Sequence, residues 1–255
     1  MKLEKMREVG QVVAYILKTL KKEIKVGMTG RDLEKRAFQL MKEKKVKSSI
    51  KNYRGFPAEI CVSLNNEVTH GIPDDRPFQP GDLVSFDVAC HKKDKWGIAY
   101  HADAALTTIV GQEKDNLLDQ AKKKLLMVTQ AALQKVIENI QPGITTTQDI
   151  GKIIEEYVHS QEGYYVIKEY GGHGIGHEMH EKPFIPNYKI SAERSVVISE
   201  NTAICVEPLV QIGDAKIQVS ADKWTVFSPG GELNSHFEHT IWIGKEKVEV
   251  LTTSE

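Results

Sequence analysis

A chain of 255 residues with 40% apolar side chains has material for one packed core and sits at the upper end for one domain. Its 34 basic and 35 acidic side chains leave a net charge of -1, so nothing global favours nucleic acid or an anionic membrane surface. The three cysteines, Cys61, Cys90 and Cys205, are odd in number and widely spaced, which argues against a disulfide framework and a cysteine-rich zinc site.

The N-terminus, Met1-Lys2-Leu3-Glu4-Lys5, lacks the apolar run of a signal peptide. No stretch approaches the roughly 18 apolar residues of a membrane span, so the expected setting is the cytoplasm. Val9, Val12, Val13, Ile16, Leu17 and Leu20 then recur at helical spacing and predict an amphipathic helix. Lys18, Lys21, Lys22 and Lys25 fall on its solvated face. Thr29, in Val26-Gly27-Met28-Thr29, can cap a second helix from about Gly30 to Lys44, with Leu33, Ala37, Phe38 and Met41 turned inward.

The chain next turns β-like. Glu59 to Leu64 is apolar and strand-length, and Gly71 to Asp75 reads as a loop. Asp82 to Cys90 and Ala102 to Val110 read as two strands, with the residues around His91 to Trp96 as the tip of a long hairpin. A long helix follows, about Asp115 to Asn139. After Pro142-Gly143-Ile144-Thr145 comes a helix carrying Ile150, Ile153, Ile154, Tyr157 and Val158. Ala203 to Glu207 and His239 to Ile243 are strand-like. Gly27-Met28-Thr29 and Gly143-Ile144-Thr145 each join a long helix to a shorter one with strands downstream, which suggests two related α+β halves. A site between the halves would draw residues from both.

Four acids lie in β-like surroundings: Asp87 in Val84-Ser85-Phe86-Asp87-Val88-Ala89, Asp103 in His101-Ala102-Asp103-Ala104, Glu207 in Ile204-Cys205-Val206-Glu207, and Glu238 before His239-Thr240-Ile241. A carboxylate buried without compensation is costly, and no basic residue accompanies each acid along its strand. Metal ions are the best candidate cations. His173, within Tyr170-Gly171-Gly172-His173-Gly174-Ile175-Gly176, adds one nitrogen among glycines that leave the backbone open to close approach. This oxygen-rich set suits hard to borderline divalent ions such as Mn, Fe, Co or Zn. Shared between two ions about 3.5–4 Å apart, the five ligands leave positions open for water and substrate. Two other patterns carry no function. His177-Glu178-Met179-His180 is one residue short of the zinc-protease motif, and the Gly172 to Gly176 run has the wrong spacing for a dinucleotide fingerprint.

At this point the chain resembles the type I methionine aminopeptidases. The resemblance runs in order through Asn52-Tyr53-Arg54-Gly55-Phe56-Pro57, Thr69-His70-Gly71-Ile72-Pro73, Phe86-Asp87-Val88, Asp103 to Gly111, Gly172-His173-Gly174-Ile175-Gly176, Met179-His180-Glu181-Lys182-Pro183, Val206-Glu207-Pro208, Lys223-Trp224-Thr225-Val226 and Phe237-Glu238-His239-Thr240. It implies an α+β pita-bread fold, with two pseudo-symmetric halves, a central curved antiparallel sheet and covering helices. One catalytic domain would span 1–255. It also implies removal of initiator methionine by a metal-bridging hydroxide.

By the same resemblance Asp87, Asp103, His173, Glu207 and Glu238 are the ligands of two divalent ions, with Asp103 and Glu238 bridging. His180 contacts the scissile carbonyl, His70 the amide nitrogen, and Glu207 shuttles the proton of the attacking water. Tyr53, Phe56, Cys61, Met179 and Trp224 line the pocket for the methionine side chain. The implied substrate is the N-terminus of a nascent polypeptide with a small second residue. Ribosome contact and a monomer are the further expectations, with no nucleic acid or membrane partner.

Several positions depart from the family pattern. Ala102 and Ala104 replace a common Gly and Thr around the second aspartate, and Ala89 replaces a Thr after the first. Such hydroxyls orient metal ligands, so the chain reads as an active but divergent form. Met179 stands where an aromatic is common. The hairpin between Asp87 and Asp103 is longer than usual, and its tip (Lys92, Lys93, Lys95, Trp96) is expected to shape access to the site. A Xaa-Pro peptidase is the nearest rival, and it would carry a large N-terminal domain. A type II methionine aminopeptidase would need an insertion between His173 and Glu207. A binding protein without catalysis would be expected to lack metal ligands.

Overall fold

The computed structural model describes residues 2–111 and 117–253. Helices α1 (Lys2–Glu23) and α2 (Gly30–Glu43) open the chain. Strands β1 (Lys47–Ser48), β2 (Cys61–Leu64) and β3 (Glu67–Thr69) lead to a long hairpin of β4 (Leu83–Lys93) and β5 (Ala99–Ile109). Helices α3 (Leu117–Asn139) and α4 (Thr147–His159) follow, then β6 (Tyr164–Val166), β7 (Gly171–Ile175), β8 (Glu181–Pro186) and β9 (Thr202–Val206). The chain closes with β10 (Leu209–Ile212), β11 (Gln218–Val219), β12 (Val226–Phe227), β13 (Asn234–His236), β14 (His239–Ile243) and β15 (Val248–Val250). The expected start of the third helix at Asp115 lies outside the described residues. No described helix is long and apolar enough to cross a membrane.

The second helix of each pair starts the same way. Thr29 and Thr146 each accept the backbone N–H three residues on, and Asp32 and Asp149 each accept from the cap backbone in return. These capping boxes satisfy donors that the first helical turn leaves open. Gly27 and Gly143 precede them at φ +85° and +70°, where a side chain would be strained. The repeat is not residue for residue. The second cap falls on Thr146, while Thr145 is buried and its hydroxyl accepts the Gln141 N–H.

Each helix pair covers its own core. Val9, Val13, Ile16, Leu17 and Leu20 of α1 and Leu33, Ala37, Leu40 and Met41 of α2 pack on Val84, Phe86 and Val88 of β4. Leu125, Val128 and Ala132 of α3 and Ile150, Ile154 and Val158 of α4 pack on Ile204, Val206 and Ile241. Phe38, expected inside, is 38% exposed with the Lys42 ammonium over its ring. Leu40 takes the inward place, because 100° per residue carries Phe38 off the stripe through Leu33, Ala37 and Met41.

All strand pairs are antiparallel. In the first half β4 pairs with β1, β2 and β5; in the second a five-stranded sheet runs β15-β14-β9-β7-β8. The seam between the halves is hydrogen-bonded. Glu238 N–H donates to the Ala105 carbonyl at 2.9 Å, and His236 N–H to the Thr107 hydroxyl at 2.8 Å. Segment 236–240 thus runs antiparallel to β5.

The hairpin is longer than the sequence reading placed it. His91, Lys92 and Lys93 pair with His101, Tyr100 and Ala99, so the turn is 94–98. Asp94 closes it by accepting the N–H groups of Trp96 and Ile98.

Candidate metal centre

The site sits on the seam. Asp87 and Asp103 lie mid-strand on β4 and β5, where Asp87 faces Ala105 and Asp103 faces Ala89 in register. Period-two alternation puts Asp103 and Ala105 on one face and Ala102 and Ala104 on the other. Ala102 and Ala104 accordingly pack in the core under α1 and α2, where a hydroxyl would not reach the acids. Ala89 instead joins the cluster of Ile50, Phe56, Cys61 and Met179. Glu207 follows β9 directly, and Glu238 fills the short link between β13 and β14.

His173, read from sequence as a glycine-flanked loop residue, lies on β7. The glycines serve sheet packing. A Cβ on Gly172 would stand 2.0 Å from the Cys205 carbonyl oxygen, and one on Gly174 would stand 2.2 Å from that of Lys182. Only bare backbone lets β8 and β9 close on β7 and aim His173 inward. Its Nδ1 lies 2.9 Å from the Gly174 carbonyl, which fixes the proton there and leaves Nε2 bare, 3.8 Å from Glu207 Oε1.

Ligand atoms of Asp87, Asp103 and Glu238 lie within 4.8 Å of one another, and so do those of His173, Cys205 and Glu238. Asp87 Oδ1, Asp103 Oδ1 and Glu238 Oε1 are buried with no hydrogen-bond partner. Burial pushes the Asp87 carboxyl up to about 7. Burial, followed by the charge of Asp103, pushes Glu207 up to about 8. Asp103 and Glu238 rise well above the ordinary range by burial and then by the neighbouring acids. Arg54 and Lys182 line the same cavity yet, among the described residues, form no ion pair with these acids. Orphaned, mutually repelling oxygens around one bare imidazole nitrogen fit divalent cations.

Two neighbours escaped the sequence reading. His236 is 2% exposed, with Nε2 3.8 Å from Glu207 and 3.9 Å from Glu238 and no hydrogen-bond partner. Its signal was a position two residues before Glu238, on the same face of an extended chain. The Cys205 thiol lies within 4.8 Å of ligand atoms of His173 and Glu238, and burial raises it far above its usual range.

A cavity of about 580 Å³ opens over these groups. Tyr53, Phe56, Cys61, Met179 and Trp224 all line it, as do His70 and His180. Phe56 and Trp224 meet edge to face at 5.2 Å, and Tyr53 leans on His180 at 5.0 Å. His180 also lies 4.1 Å from the His173 ring, centroid to centroid. Burial lowers His70 to about 4, and burial followed by the Arg54 charge lowers His180, so both imidazoles are neutral at neutral pH. The hairpin turn 94–98 does not line this cavity, contrary to its expected role in access. It lies too many residues along β4 and β5 from the two aspartates, and Trp96 is 65% exposed.

The family model for metallopeptidase family M24 matches residues 4–245. A methionine aminopeptidase of Mycoplasma capricolum is 43% identical over 99% of this chain and 96% of its own length. The crystal structure of a methionine aminopeptidase from Thermotoga maritima superposes with a TM-score of 0.89 at 38% identity, covering 99% of this chain and 96% of that one. A prolidase from Pyrococcus horikoshii matches with a TM-score of 0.69 at 21% identity, this chain covering 62% of it, which is a likeness of fold alone.

Proposed function

Since the chain belongs to metallopeptidase family M24, we propose that it is a methionine aminopeptidase, removing the initiator methionine from nascent polypeptides with a small second residue. The observation that carries this reading is the set of orphaned buried oxygens of Asp87, Asp103 and Glu238 at the floor of a cavity with an apolar, aromatic wall. That wall suits one flexible thioether side chain.

In this reading Asp87, Asp103, His173, Glu207 and Glu238 would hold two divalent ions (cobalt, manganese, iron or zinc). The ions would supply Lewis acidity to the scissile carbonyl and acidify the attacking water. Glu207 takes the proton from that water and passes it toward the leaving amine. Neutral His180 donates a hydrogen bond where negative charge grows on the carbonyl oxygen. His70 holds the amide nitrogen as it becomes an amine. Phe56, Trp224, Met179, Tyr53 and Cys61 exclude water from the methionine side chain and fix its carbonyl over the acids. Residues 1–255 act as one catalytic domain, a cytoplasmic monomer that meets its substrate as chains leave the ribosome.

The test is hydrolysis of Met-Ala-Ser and Ala-Pro peptides by metal-stripped protein, before and after adding Mn, Fe, Co or Zn. Metal-dependent release of methionine, lost in Asp103→Ala, is expected. Cleavage of Ala-Pro instead would move the chain to the Xaa-Pro peptidases. No turnover with any metal would leave a fold without this activity.

A further inference from the structure

Strand β8 is one of the two edge strands of the five-stranded sheet. Along it Lys182 and Phe184 are exposed while Glu181 and Pro183 are half-buried, the alternation of one outward face. Glu181, Lys182 and Phe184 form the rim of the candidate catalytic cavity. The same three line a second cavity, of about 690 Å³, on its other side. That groove runs on past Arg194, Val196 and Val197. Phe184, Val196 and Val197 are 53%, 48% and 53% exposed, large apolar side chains left facing solvent in one place.

The groove is also positively charged. Lys2, Lys182 and Arg194 line it against one acid, Glu181. Glu181 is already engaged, its Oε1 accepting the N–H groups of His177 at 2.6 Å and Glu178 at 3.1 Å. Lys2, Lys182 and Arg194 form no ion pair among the described residues.

We propose that this groove carries the substrate polypeptide downstream of the cleaved bond and selects chains bearing acidic side chains there. The inference rests on the aminopeptidase reading. A chain whose first side chain fills the pocket by Phe56 and Trp224 must leave the cavity over a rim. Lys182 and Phe184 give a rim that continues into a groove. The apolar side chains supply contact with no demand on sequence, and the cations supply the preference and speed encounter. Each extended residue covers about 3.3–3.6 Å, so a tripeptide ends near the rim and longer chains enter the groove.

The experiment compares kcat/KM for Met-Ala-Ser with that for two longer peptides that share this start and carry aspartates or lysines at their later positions. The acidic peptide should be favoured over the basic one by about threefold or more at low salt, through KM, and the margin should shrink as salt rises. Arg194→Glu should remove or reverse the preference and leave Met-Ala-Ser turnover as it was. Equal turnover of the two long peptides, or a preference that survives Arg194→Glu undiminished, overturns the proposal while the aminopeptidase reading stands. Failure to cleave even Met-Ala-Ser with metal present would sink that reading and the groove with it.

Discussion

Thr240 grips Asp103 by its backbone on both sides of the residue: the Thr240 hydroxyl accepts the Asp103 N–H at 2.9 Å and donates to the Asp103 carbonyl at 2.7 Å. This buried hydroxyl extends the seam of hydrogen bonds between β5 and the segment bearing Glu238. It also positions Asp103, which the alanines at 102 and 104 do not. Thr240→Val keeps the shape and leaves both Asp103 groups without partners. The expected cost is about 1–3 kcal/mol of stability. Metal affinity should fall about 10- to 100-fold, read by calorimetric titration of stripped protein. Unchanged affinity would mean that β5 holds Asp103 without this clamp.

Removing metal should expose the cost of four facing carboxyls. A cation that binds only the folded chain, at about a hundred times its dissociation constant, adds about 2.7 kcal/mol. For a chain of this size that is about 5–10 °C in Tm. Scanning calorimetry of stripped protein, with and without added Mn or Co, checks it. Asp87→Asn should narrow the gap, because it relieves repulsion in the stripped protein and removes a ligand from the loaded one.

Gly172 is the tightest point of the second-half sheet. Since a Cβ there would meet the Cys205 carbonyl at 2.0 Å, Gly172→Ala must push β7 off β9 and turn His173 away from Glu207. We expect about 3 kcal/mol of destabilisation or more, with loss of metal binding. A variant that melts and binds metal like the parent would show that the sheet yields here.

The two ends of the described chain are tied by Arg7 on α1 and Glu249 on β15, at 2.6 Å and 2.9 Å in a two-pronged pair. Both side chains keep partial solvent contact, so Arg7→Ala should cost only about 1 kcal/mol. The hydrogen bond from Arg7 holds the Glu249 carboxyl below its ordinary 4.5. A carboxyl lowered by folding contributes stability above its unfolded pKa and loses it as pH falls through the folded value. The Tm difference between parent and Arg7→Ala should therefore stay flat near neutrality and vanish in acid below that value. A difference that persisted in acid would assign the effect to packing of the arginine stem.

Much of the site was legible because buried charge is expensive. Asp87, Asp103 and Glu207 stand out as acids in apolar runs. His173 stands out by the glycines around it, though those glycines belong to a strand and serve its neighbours. Helix caps were legible for the same local reason, since Thr29 advertises its role within three residues. His236, Cys205 and Thr240 were not legible. Each acts across the seam or between strands, on partners distant in sequence, and nothing adjacent in the chain marks them.

Phe38 and the hairpin turn show the same division. Apolar spacing along residues 30–43 identified a helix with a buried stripe, but Leu40, not Phe38, faces β4, and only the packed sheet decides that. His91 to Lys93 read as part of the hairpin tip and became strand because β5 continued beside them and offered hydrogen bonds. By itself the sequence determined local conformation, the two-part organisation and the chemical types needed for a cation site, all of which depend on near neighbours. The tertiary structure decided which acids face one another, which imidazole nitrogen is bare and where the cavity opens, because those depend on how β5 meets residues 236–240.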